Sequence, residues 1–199
     1  RVKKMFSHAR VLLKVDSNKK INNCLAKIKK SEEISDQLEV EISGYLADVS
    51  MQELSQHVAE DINKMLQMTT NIESIADSCF NISNAVSRKL ATKEKFNESI
   101  NSNLIRFSGK VSELLSIMLS TIKEEDISIN DQEVKDLMGK INKDYNKLKQ
   151  EHFKNLRKGI YKTKTGVIYA DLYTELMKIA DLSYHGIEIM SGLIETDDN

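Results

Sequence analysis

Five side chains carry the chemistry this sequence offers most directly. In NIESIADSCFNIS, residues 71–83, Glu73 and Asp77 stand four apart. In ELMKIADLSYHGIEI, residues 175–189, Asp181, His185 and Glu188 follow at steps of four and three. Residues three and four apart are neighbours on one helix face, so each set gathers its donors if its segment is helical. Carboxylate oxygens suit hard cations such as Mg, Mn, Ca or Fe, and His185 adds a nitrogen donor. Spacing therefore marks Glu73, Asp77, Asp181, His185 and Glu188 as candidate metal ligands. The plain alternative is a solvated acidic surface, because acid pairs at this spacing arise by chance in a chain that is 30% charged.

The elements that must hold these residues are long helices. Proline, which breaks helix interiors by removing a donor and clashing with the preceding turn, is absent, and glycine occurs only seven times. Breaks are correspondingly few. Asp16-Ser17-Asn18 separates a short amphipathic piece from a long one. Ser50 with Glu53 has the spacing of a capping box. Thr92 can cap a fourth helix, the polar stretch 124–131 ends it, and 158–165 with Gly159 reads as the last turn. The spacing predicts six helices, at roughly 2–15, 18–48, 51–90, 93–125, 131–158 and 165–196. In the third, Met51, Leu54, Val58, Ile62, Met65, Ile72, Cys79, Ile82 and Val86 form one apolar stripe along about 60 Å. In the sixth, Ile168, Leu172, Leu176, Ile179, Ile187, Met190 and Ile194 do the same.

The two Ile-Ala-Asp triplets end in Asp77 and Asp181, 104 positions apart. Aligning them pairs helix three with helix six, and helices one and two with four and five. The expected fold class is all-α, a tandem pair of antiparallel three-helix bundles, with repeats over 1–91 and 92–199. On a helical wheel centred on the apolar stripe, Glu73 lies about 100° and Asp77 about 140° away. Met177 takes the place of Glu73 in the second copy, and Asp181 the place of Asp77. The acids are expected on an outer or side face of the bundle.

Composition excludes several functions. With 29 basic and 30 acidic residues, the chain has no bulk charge with which to hold nucleic acid. Cys24 and Cys79 have no nearby partner for a disulfide or zinc knuckle, and are expected as buried free thiols in a reducing cytoplasm. No apolar run is long enough to span a membrane. His8, His57 and His152 fall in separate helices with no shared face, and are expected at the surface or its boundary. Lys27-Ile28-Lys29-Lys30 runs directly into Glu32-Glu33 and reads as a salt-paired helix face. Arg1, Lys3 and Lys4 gain meaning if a membrane lies upstream, where basic residues favour the cytoplasmic side. The chain opens on Arg1 and is expected to be a piece of a longer protein. No phosphate loop, Cys/His dyad or nucleophile elbow is present, so no enzyme is expected.

Ile72-Glu73-Ser74-Ile75-Ala76-Asp77, followed by Asn81-Ile82, and Leu176-Met177-Lys178-Ile179-Ala180-Asp181 resemble the acidic motif of the PhoU family of phosphate regulators. Glu41-Ile42-Ser43-Gly44-Tyr45-Leu46 and His152 to Gly159 fit its general pattern more loosely. More narrowly, the chain resembles the PhoU-like domain that follows the membrane part of bacterial sodium/phosphate cotransporters. The resemblance implies metal held on acidic motifs at the bundle surface, with a divalent or ferric ion (Fe, Mn, Zn or Mg) at Glu73, Asp77 and Asp181. Met177 departs from the motif and removes one acid of four. The resemblance further implies a regulatory domain at the cytoplasmic face of the bacterial cell membrane. Its partner would be the transporter's membrane domain, with a homo-oligomer as a further option. The competing expectations are a free-standing helical adaptor without metal, and a hydrolase with carboxylates turned into the bundle core.

Overall fold

The computed structural model describes residues 1–15, 17–91, 96, 98–123 and 130–191. These form six helices: α1 (Val2–Leu12), α2 (Asn18–Ser50), α3 (Gln56–Ala91), α4 (Glu98–Thr121), α5 (Asp131–Arg157) and α6 (Thr163–Ser191). No strand occurs among the described residues, and the all-α expectation holds.

Local chemistry sets the ends. At the start of α5, Asn130 adopts an extended conformation and its side chain accepts from the Glu133 amide, satisfying one of the orphan donors of a helix start. At its end, Gly159 has φ 62°. The Ile160 amide reaches the Asn155 carbonyl at 3.0 Å and the Gly159 amide the Leu156 carbonyl at 3.1 Å, a Schellman motif that needs a left-handed residue at this place. The Ser50 capping box does not form. Ser50 belongs to the last turn of α2, where its hydroxyl donates to the Ala47 carbonyl at 2.7 Å. Helix α3 starts six residues later, at Gln56, and Ser55 accepts from the Val58 amide at 3.5 Å instead. Thr92, residues 124–129 and Ile194 lie outside the described residues.

Helices α1, α2 and α3 pack on one another, and α4, α5 and α6 do the same. The links α1–α2, α2–α3 and α5–α6 are five residues each, short enough to make packed neighbours antiparallel. Helix α3 lies against α6 and α1 against α4, while α2 and α5 do not meet among the described residues. One hydrophobic core runs through both halves, including Phe6, Ile75, Cys79, Leu104, Phe107, Leu114, Leu176 and Ile179. Each such buried aliphatic or aromatic side chain contributes about 1.5–3 kcal/mol. Both cysteines are buried and free, as expected.

The apolar stripe of α3 is core only in part. Cys79, Ile82 and Val86 are buried, but Val58 and Met65 are exposed, and Met51, 84% exposed, caps α2 and lies before α3 begins. The cause is length. Among the described residues, helix α2 packs on α1 and α3 alone, and α1 has 11 residues against 33 in α2. Beyond about the first half of α2, its one neighbour among the described residues is α3, and the two form an arm. Periodicity says which side chains share a face, not whether another helix covers it.

His152 departs from its expected surface position. It is buried among Tyr161, Tyr169 and Tyr173, with its Nδ1 2.7 Å from the Tyr161 hydroxyl. Burial lowers its pKa below the ordinary value. Below about pH 6.5 the unfolded chain then binds a proton that the folded chain refuses, so stability falls as pH drops through that value and is flat above it. Glu73 and Glu32, raised in the folded chain, pull the slope the other way, so the expected result is a urea midpoint that falls less, or rises more, between neutral and mildly acidic pH in His152→Gln than in the unaltered protein. Some slope persists in the variant, because burial and Lys27 displace His8 in the same direction as His152.

Candidate metal centre

The seam between α2 and α3 gathers acids from both helices. Glu32 and Asp36 lie one turn apart on α2, as Glu73 and Asp77 do on α3. Glu32, Asp36 and Asp77 each bring a carboxylate oxygen within 4.8 Å of the other two. Glu73 joins them electrostatically. Its pKa is pushed up to about 7, first by desolvation, then by the charge of Asp77 and a shared hydrogen bond with it, with Asp36 adding to the effect. The Ser74 hydroxyl, donating to Glu73 Oε2 at 3.3 Å, opposes the shift. Glu32 is raised as well, by desolvation and then by Asp36 and Asp77, with Lys29 opposing.

Glu73 and Asp77 are half-buried rather than free on an outer face. The wheel placed them correctly relative to the α3 core stripe. What it lacked was α2, which covers that side and supplies two more acids. Glu32 and Asp36 repeat the Glu-x-x-x-Asp spacing of Glu73 and Asp77, so the signal was present in the sequence, screened by the surrounding run of charges.

The donor set fits a hard cation. None of the four carboxylates makes an ion pair within 4 Å among the described residues, and like charges held together repel one another. An all-oxygen set suits Mg, Mn, Ca or ferric iron better than ions that favour nitrogen and sulfur.

The second set is arranged differently. Asp181 is exposed, although packed residues at its base raise its pKa by desolvation. His185 is exposed, with Nδ1 3.8 Å from Glu188 Oε2 on the next turn. Met177 is buried in the core at the position matching Glu73. Among the described residues, Asp181, His185 and Glu188 belong to no group of three converging donors.

The family model for the PhoU domain matches residues 1–86. This supports a PhoU-like family for the chain. The matched segment covers α1, α2 and most of α3, and so contains all four acids of the seam. No curated protein matches the chain. The match to its first half suggests a phosphate-related regulatory helical domain. None of the described helices is long and apolar enough to cross a membrane.

Proposed function

We propose that the protein is the cytoplasmic regulatory domain of a sodium-dependent phosphate transporter, acting through helical contacts with the membrane domain at the cytoplasmic face of the bacterial membrane. The observation that carries this reading is the PhoU match over residues 1–86. The shared helix-packing pattern of the two halves supports two PhoU-like repeats, over 1–91 and 92–199.

In this reading Glu32, Asp36, Glu73 and Asp77 hold a divalent or ferric ion. The ion supplies neutralising charge, and the residues supply position: two turns of α2 and α3 that repel one another become a clamp. The clamp sets how the α2–α3 arm is held. Along that arm, Ile42, Tyr45, Leu46, Met65, Met68 and Ile72, with Ile122 and Met190, line a groove of about 680 Å³. Apolar side chains exposed together in this way mark contact faces, and the membrane domain of the transporter is the occupant assigned to it. Asp181, His185 and Glu188 form a secondary candidate for metal.

The groove also favours a second reading, a free-standing adaptor that binds partner proteins without metal. The two part on transport. Deleting the coding region for this domain in the native bacterium should change sodium-dependent uptake of radiolabelled phosphate, or its response to phosphate supply. Uptake and response both unchanged would remove the transporter reading and leave the adaptor.

A further inference from the structure

Helices α1 and α2 enclose a second groove, of about 500 Å³, at the end of the bundle where Arg1 lies. Arg1, at the N-cap of α1, stands with Lys4 and His8 at steps of three and four, and so on one face of that helix. Lys27, Lys30, Ser31 and Ile34 face them from α2 with the same periodicity. His8 feels the charge of Lys27 across the groove. In sequence, Lys27 and Lys30 look balanced by Glu32 and Glu33. In the fold, Lys29 is the base that interacts with Glu32, while Lys27 and Lys30 turn to the groove. None of Arg1, Lys4, Lys27 and Lys30 makes an ion pair among the described residues.

Four permanent cations converging on a concave surface, in a chain whose net charge is −1, repel one another unless an anion joins them. A groove between low-dielectric walls focuses their field into the space where such an anion sits. The groove is also extended: along the face of α1 from Arg1 to His8 it runs about 10 Å, with the fixed charges of Arg1 and Lys4 in its first half. One phosphate ion would occupy a fraction of that length. Two or three linked phosphoryl groups would span it, with lysine as a point-charge partner and the Arg1 guanidinium able to take two oxygens at once.

We propose that the α1–α2 groove is a binding site for phosphoryl anions, built for a short run of adjacent phosphoryl groups. The run can come from a free oligophosphate or from neighbouring phospholipid head groups. The concavity of the site favours the free anion. The site is separate from the acid seam and does not depend on metal or on a transporter partner.

The test is calorimetric titration of the 199-residue protein with inorganic tripolyphosphate, beside flotation with vesicles of phosphatidylglycerol and phosphatidylcholine. Lys27→Gln with Lys30→Gln is the groove variant, and Lys147→Gln with Lys149→Gln removes the same charge from α5. Circular dichroism checks that both remain folded. The expected result is saturable, one-to-one tripolyphosphate binding that the groove variant weakens at least tenfold and the α5 variant leaves within twofold. Vesicle binding with the same selective loss, and no tripolyphosphate binding, would keep the site and assign its ligand to head groups. No saturable binding of either probe, or equal loss in both variants, overturns the proposal.

Discussion

Replacing Asp36 and Asp77 together with asparagine should lower Mn(II) affinity by roughly 100-fold or more, and should raise the melting temperature of the metal-free protein. Both effects come from one arrangement. Outer-shell partners alone are worth about 10–100-fold in metal affinity, and here two direct donors change from charged to neutral. Without metal, the same change removes repulsion across the α2–α3 seam, where Glu32, Asp36 and Asp77 lie within 4.8 Å of one another. Relief of one partly exposed like-charge contact is worth about 1 kcal/mol, or roughly 2–4 °C in a chain of this size. Elemental analysis of desalted protein and thermal unfolding in chelator read the two effects separately. A variant that loses metal without gaining stability would mean that the acids are not strained against one another. Unchanged metal content would dismiss the seam as the centre. The matching triple variant, Asp181→Asn with His185→Gln and Glu188→Gln, should keep its metal; if it loses the metal instead, the centre belongs to the second half.

Gly186→Leu should be the most damaging single substitution on the inner face of α6. A Cβ at this glycine would stand 2.6 Å from Met118 Sδ and 2.9 Å from Asn71 Nδ2, so α6, α3 and α4 meet there without room for a side chain. Met118 is fully buried and cannot swing into solvent. Asn71 donates to the Leu182 carbonyl at 2.8 Å, a bond that ties α3 to α6. Overpacking costs about 1–3 kcal/mol, and a displaced, unsatisfied buried amide about the same again. The sum predicts a fall in melting temperature of roughly 5–15 °C. Gly44→Leu is the control, since nothing lies within 4 Å of a Cβ there, and it should change stability little. Equal melting temperatures for the two variants would mean that the halves do not close on each other at Gly186.

Much of this was legible in the residues. The lack of proline foretold the long helices, and Gly159 marked the turn between α5 and α6 because few other residues accept a left-handed backbone there. Glu73 and Asp77 stood out by spacing, and their angle from the core stripe was right. What escaped was tertiary. Glu32 and Asp36 become partners of Asp77 only once α2 folds back on α3, and no pattern within one helix reports that register. Val58 and Met65 kept perfect core periodicity while lying where α1 has already ended, and Met51 falls outside α3, at the C-cap of α2. His152 sits in the polar-looking α5, and its burial depends on tyrosines that α6 and the preceding turn bring over it.

The arm formed by the far halves of α2 and α3 has a consequence for how the molecule moves. Between Ile28 and Leu46 no residue of α2 is buried, so little apolar contact resists its opening there. Regions of that kind form the low-stability units of a fold and open without disturbing the rest. The bundle thus combines a rigid body, centred on α3 and α6, with a compliant limb that carries an apolar face. An ion at the base of the limb would act as a brake on its swing, so that occupancy at the acids is felt as stiffness at the tip.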